Sequence, residues 1–140
     1  TGGNEGIRLR RGSAGKYSKG VVVGFAAEGL NFNDNATFTV AGTPQALGTE
    51  LTMRDMYLSN TTNFEDSSAE PYLVSQWYSA GNNNRVGANP LSGSTPFPTG
   101  TTLNLTTPYA PDLYFEATDY IGAFSSADDN WAAGWTYDFR

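Results

Sequence analysis

Three groups of residues in this chain have types and spacings that could do chemistry. The first is Asp128-Asp129-Asn130, a run of oxygen-bearing side chains. Such a run suits Ca²⁺, a hard cation that takes about six to eight oxygen ligands. Asp119 or Asp138 could complete the set, and Asn33-Asp34-Asn35 is a second grouping of the same kind. Neither has the spacing of an EF-hand or of a Gly-rich Ca²⁺ repeat. A structural Ca²⁺ is the only cofactor these residues suggest. The second group is Arg8, Arg10 and Arg11, with Lys16 and Lys19 close behind. These cations are candidates for contact with an acidic glycan or a protein partner. A polysaccharide lyase would use such cations on an enolate, together with carboxylate-held Ca²⁺. Asp34 and Asp55 are the nearby carboxylates. A solvated strand face accounts for the same arginines without chemistry. The third group is aromatic. Trp77 and Tyr78 are candidates for stacking on a sugar or a partner, whereas Trp131 and Trp135 read as packing residues.

Other chemistries are excluded or lack their parts. There is no Cys and no His, which removes thiolate metal sites and the commonest general base. A glycosidase needs two carboxylates about 5 or 6.5–9.5 Å apart. Glu65-Asp66 and Asp128-Asp129 are sequence neighbours, and neighbours in a strand point to opposite faces. No residue is assigned a catalytic role on this reading. Asn35, Asn60 and Asn104 each open an Asn-x-Thr triplet, relevant only in a glycosylating host.

Charge narrows the partners. The net charge is −6, and five of the eight basic residues lie in the first 20. The remaining 120 residues carry 13 of the 14 acids. An acidic chain repels phosphate backbones, so nucleic acid is not an expected partner. No apolar run approaches the roughly 20 residues of a membrane-spanning helix. The chain opens on Thr1 rather than Met, which reads as a processed or excised fragment of a longer protein.

The elements that must position these groups are short strands. Aromatics reach 14 % and charged residues only 16 %, too apolar for disorder. Sixteen Gly and seven Pro punctuate the chain. Ile7 and Leu9 alternate with Arg8 and Arg10, so the apolar pair points inward and the arginines outward. Val21 to Val23 form a buried strand, with Val21 and Val23 expected at the inward positions. Gly29-Leu-Asn-Phe repeats the Gly6-Ile-Arg-Leu pattern 23 residues on, as repeats in a solenoid do. Thr37-Phe-Thr-Val40 is expected as a short strand within an insertion. Met53, Met56 and Leu58 are the inward positions of the next segment. A short helix is expected over Tyr72 to Tyr78, and a strand over Thr101 to Thr106.

Two stretches resemble a known family. Gly6-Ile-Arg-Leu-Arg-Arg-Gly-Ser-Ala-Gly-Lys16, with Val21 to Phe25 and Gly29 to Asp34, is one. Tyr120-Ile-Gly-Ala-Phe124, followed by Trp131 and Gly134-Trp135-Thr136, is the other. Together they resemble the C-terminal region of large secreted bacterial right-handed parallel β-helix proteins. The resemblance implies an all-β solenoid fragment with an irregular aromatic cap. It carries no assigned activity.

Residues 1–62 are expected to form β-helix rungs with a surface insertion at about 35–48. Residues 63–108 form an irregular Pro, Asn and Gly-rich excursion. Residues 109–140 form an aromatic cap in which Phe124, Trp131 and Trp135 are buried. The function expected is a non-enzymatic structural or assembly module, secreted or on a bacterial cell surface. Its partners would be other protein chains or upstream parts of its own parent, with acidic glycans as further ligands. The alternative is a glycan-binding or polysaccharide-degrading lyase or hydrolase.

Overall fold

Alternating apolar residues become strands only where a neighbour covers their inward face, and here those strands are short. The computed structural model describes residues 4–134. The chain divides into two units, Thr1–Asn89 and Pro90–Arg140. The boundary falls inside the stretch 63–108 that composition alone groups together.

The first unit begins with β1 (Ile7–Leu9), β2 (Gly15–Ser18), β3 (Val21–Val23) and β4 (Glu28–Phe32). Then come α1 (Asn35–Ala41), β5 (Gly42–Thr43) and β6 (Ala46–Leu47). It closes with β7 (Leu51–Arg54), β8 (Tyr57–Ser59), β9 (Thr62–Phe64), α2 (Val74–Ala80) and β10 (Arg85–Val86). The order β1-β4-β9 makes one parallel sheet, with Ile7 opposite Leu30 and Leu30 opposite Phe64. The order β10-β8-β3 makes a second, with Leu58 between Val22 and Val86. β2 and β7 pair in parallel, while β5 and β6 form an antiparallel hairpin.

The expected right-handed parallel β-helix is not the fold. The described residues form small, separate parallel and antiparallel sheets of two or three strands, at 11 % helix and 33 % strand, with no closed or solenoid sheet. The single 23-residue spacing misleads because it is not kept. Ile7 pairs 23 residues on with Leu30, but Leu30 pairs 34 residues on with Phe64. Two helices and an antiparallel hairpin interrupt the strands.

Period two does locate much of the core. Leu9, Leu30, Phe32, Met53, Met56 and Leu58 are buried, and Ile7 packs against them half-buried. The valine run has the opposite phase: Val22 is 8 % exposed, whereas Val21 and Val23 are half-buried. Three identical side chains contain no polar residue to set the phase. Close packing also explains Gly6, where a Cβ would sit 2.3 Å from the Val22 side chain.

Residues 37–40 form a helix and not a strand. Asp34 caps α1 by accepting the Thr37 N–H at 2.9 Å, and it also accepts the Arg11 N–H. Those backbone bonds hold the Asp34 carboxyl below its ordinary value of 3.8. Capping and burial of Phe38 and Ala41 outweigh the strand preference of Thr and Val. Gly42, at φ 77°, ends the helix.

α2 starts two residues later than expected. Its spacing puts Val74, Trp77 and Tyr78 on one buried face. Phe32 contacts both Phe38 and Trp77 edge-on, with centroids 5.4 and 5.0 Å apart. Four non-glycine residues, Arg11, Lys19, Asp55 and Asn83, adopt left-handed backbone angles at turns beside the strands.

The second unit holds one antiparallel hairpin, β11 (Asn104–Tyr109) and β12 (Thr118–Tyr120). The strand expected over residues 101–106 begins at Asn104 instead. Leu103, Leu105, Ile121 and Phe124 are buried, Phe124 edge-on to Phe97 at 5.1 Å. Trp131 is 64 % exposed, contrary to the expected buried cap. It lies flat on Phe124 and donates its indole N–H to Ala123 at 2.8 Å, so one ring face is packed and the rest meets solvent. Trp135 and Asp138 lie outside the described residues. Among the described residues no helix is long and apolar enough to cross a membrane.

Candidate functional site

Parallel pairing of β1, β4 and β9 assembles a polar group that no sequence motif marks. Glu5 precedes β1, Glu65 follows β9, and Asn31 sits in β4 between them. The Asn31 amide nitrogen donates to Glu5 at 3.2 Å and also to Glu65. Asn31 is only 4 % exposed, and its Oδ1 is buried with no hydrogen-bond partner among the described residues. Arg8, which faces Asn31 in the register, bonds Asn33 through its guanidinium, with Nε at 2.6 Å. It also meets Glu5 at 3.4 Å. Two carboxylates therefore converge on one amide, the geometry that neither Glu65-Asp66 nor Asp128-Asp129 could supply. The alternation that turns Arg8 outward is readable in the sequence; the burial of Asn31 and the approach of Glu65 depend on a 34-residue pairing and are not.

The other basic candidates diverge from Arg8. Arg10, Arg11 and Lys16 are exposed, and none has an ion-pair partner among the described residues. Arg10 and Arg11 sit on a tight turn closed by the Ser13 N–H to the Arg10 carbonyl at 3.1 Å. Lys19 is half-buried and has a partner of its own. The carboxylates that a lyase would need are already engaged. Asp34 caps α1. Asp55 is buried, pairs with Arg54 at 3.2 Å and accepts from Asn83 at 2.7 Å. Asp66 accepts the Ser75 N–H at 3.0 Å, in the first turn of α2.

The aromatic sugar-contact candidates are core residues. Trp77 is 2 % and Tyr78 is 1 % exposed, so neither offers a face to a ligand. Trp77 donates to the Ala41 carbonyl at 2.8 Å, and Tyr78 donates to the Arg85 carbonyl at 3.0 Å. Burial pushes the Tyr78 phenol well above its ordinary value. Helical periodicity at Val74, Trp77 and Tyr78 was the signal for burial.

At the suggested Ca²⁺ site, Asp129 is occupied by Ser125, accepting its N–H at 3.3 Å and its hydroxyl at 2.8 Å. Asp128 is exposed, and the Asn130 Oδ1 is buried with no hydrogen-bond partner among the described residues. Among the described residues no three Asp, Glu, His or Cys side chains gather as a metal site. Of the Asn-x-Thr triplets, Asn35 is exposed, whereas Asn60 spends its amide on the Val22 carbonyl at 3.1 Å.

Two further surfaces escaped the sequence reading. A cavity of about 430 Å³ beside α1 is lined by Asn35, Phe38, Thr39, Thr43, Pro71 and Tyr72. Tyr72 packs edge-on to Phe38 at 4.9 Å and donates to the Phe38 carbonyl at 3.3 Å. Burial pushes its phenol up to about 12. In the second unit, the loop joining β11 and β12 exposes Leu113, Tyr114 and Phe115 together. Its tip is held by the Tyr114 N–H to Asp112 Oδ1 at 2.8 Å. An aromatic-rich tail suggested packing, yet Tyr114 is 89 % exposed. No family model, curated protein or solved structure matches the chain.

Proposed function

We propose that this chain is a non-enzymatic structural or assembly module that works outside the cell or on a cell surface. The observation that carries this reading is the set of outer strands in its small parallel sheets. β1 and β9 flank one three-stranded sheet, and β3 and β10 flank the other. A strand at a sheet edge presents backbone N–H and C=O groups that another strand can pair with. The partner is a protein strand, supplied by another chain or by a longer parent. The motif resemblance to large secreted bacterial proteins and a content of only two lysines support export.

A glycan-cleaving reading has one observation in its favour, the convergence of Glu5 and Glu65 on Asn31. Arg8 and Asn31 already engage this pair, and the α1 cavity has neither glutamate in its lining. The assembly reading is therefore the better supported.

The test separates the two. A photo-crosslinking residue at Arg8, exposed on β1, is introduced into the chain and activated in extracts of the producing cells. Crosslinking to a protein strand, mapped by mass spectrometry, supports assembly. Cleavage of pectate, alginate or neutral glucans by the purified chain, lost in Glu65→Gln, overturns it.

A further inference from the structure

We propose that the outer face of the β1-β4-β9 sheet binds a Ca²⁺ ion between the carboxylates of Glu5 and Glu65, with the Asn31 amide oxygen as third ligand. This is not the ion suggested at Asp128-Asp129-Asn130, and its site does not depend on the assembly reading.

Two independent observations meet at this place. The first is the convergence of the carboxylates. Pairing of Leu30 with Phe64 sets Glu65 beside Asn31, on the face opposite the core. Glu5 comes within 3.2 Å of the Asn31 amide nitrogen, and Glu65 bonds the same nitrogen. Two carboxylates thus gather at one point, against the single positive charge of Arg8. Glu65 is exposed, so water can reach the group and complete a shell of about six to eight oxygens. The second observation is Asn31 itself. It is 4 % exposed, yet its Oδ1 has no hydrogen-bond partner among the described residues. Buried polar oxygens in folded chains are nearly always satisfied, by a donor, a water or an ion.

The Asn31 amide can serve the site with and without the ion. Its terminal torsion is soft and roughly two-fold. A half-turn brings Oδ1 to the point now held by the nitrogen, 3.2 Å from Glu5 and beside Glu65. Oxygens that share a Ca²⁺ at about 2.3–2.6 Å stand about that far apart. Among the described residues nothing bonds the far end of the amide, so the carboxylates alone set which end faces them. Bare carboxylates draw in the nitrogen, and a cation between them draws in the oxygen. The bonds already made do not close the site, because each carboxylate offers about four lone-pair sites. An all-oxygen set selects a hard cation. Only three protein oxygens place the affinity in the weak class, with a Kd of about 10⁻⁴–10⁻³ M. Glu5 precedes β1, Asn31 lies in β4 and Glu65 follows β9, so the ion ties together all three strands of the sheet.

Thermal unfolding of the full chain tests this, with folding of each variant checked by circular dichroism. At matched ionic strength, about 10 mM Ca²⁺ should raise the wild-type midpoint by about 3–6 °C over chelator. Mg²⁺, which keeps most of its water, should give less than about half that rise. Glu5→Gln and Glu65→Gln still accept from the Asn31 amide, so each should fold, and each should lose the rise. Asn31→Asp supplies a carboxylate where the amide stood. It should melt below wild type in chelator and regain most of the difference in Ca²⁺. Asp128→Asn/Asp129→Asn should keep the full rise. A wild-type midpoint that Ca²⁺ does not move overturns the proposal, as does an equal rise in Mg²⁺. A rise that survives both glutamine variants, or that vanishes in Asp128→Asn/Asp129→Asn, also overturns it and puts the ion elsewhere. Asn31→Asp that gains no more from Ca²⁺ than wild type removes Asn31 from the site.

Discussion

The Trp77 indole N–H donates to the Ala41 carbonyl at 2.8 Å, so α2 is tied to the last residue of α1. Both groups are buried, and no water can replace either partner cheaply.

Trp77→Phe keeps an aromatic ring against Phe32 and removes the indole donor, while the Ala41 carbonyl still accepts the Gly48 N–H at 2.8 Å. It should cost about 0.5–1.5 kcal/mol. Trp77→Ala removes the ring as well and should cost about 3–5 kcal/mol. Urea unfolding of the three proteins measures both differences.

Leu58→Ala should cost about 2–5 kcal/mol, because Leu58 is fully buried between Val22 and Val86. Val21→Thr, flanking the buried Val22, should cost about 1 kcal/mol or less. Denaturant midpoints settle which valine faces inward. A larger loss at Val21 than at Val22→Thr would show the reversed phase to be wrong.

Period two reveals Leu9, Leu30 and Phe32 because polar residues alternate with them. It fails on Val21 to Val23, where nothing polar marks the phase. The helical form of Thr37 to Val40 depends on Asp34, whose cap overrides residues that prefer strands. Trp77 and Tyr78 look like a surface platform until Phe32 and Phe64 are known to cover them. Glu5 and Glu65 meet only through a third strand, a relationship that lies in no local window. The solenoid expectation extrapolated one spacing that later strands do not repeat.

Asn31→Asp places a third carboxylate beside Glu5 and Glu65 and removes the shared donor. It should destabilise the fold at neutral pH by about 1–3 kcal/mol. Acidification should narrow the gap to wild type as carboxylates protonate. Thermal midpoints of both proteins across mildly acidic to neutral pH provide the measurement.

Asp34 has a depressed pKa in the folded chain. Its contribution is therefore present above the ordinary carboxylate value of 3.8 and is lost as pH falls through the lower folded value. Asp34→Asn should lower stability at neutral pH and flatten the acid limb of the stability curve. Acid titrations followed by circular dichroism compare the two limbs.

At the alkaline end the sign reverses. The Tyr72 phenol, ordinarily at 10.0, is pushed up to about 12 by burial. A raised folded value means stability that is full below 10.0 and lost as pH rises towards about 12. Tyr72→Phe should therefore unfold less steeply between those limits. Ultraviolet difference absorbance should show one fewer late-ionising tyrosine than in wild type.

The left-handed angles at Arg11, Lys19, Asp55 and Asn83 have a consequence for ancestry. Such angles disfavour β-branched side chains and favour Gly, Asn and Asp. Divergent descendants can exchange core residues of similar volume, but at these corners they have a narrow alphabet. A search profile weighted on positions 11, 19, 55 and 83 would follow lineage where strand-to-strand similarity has eroded.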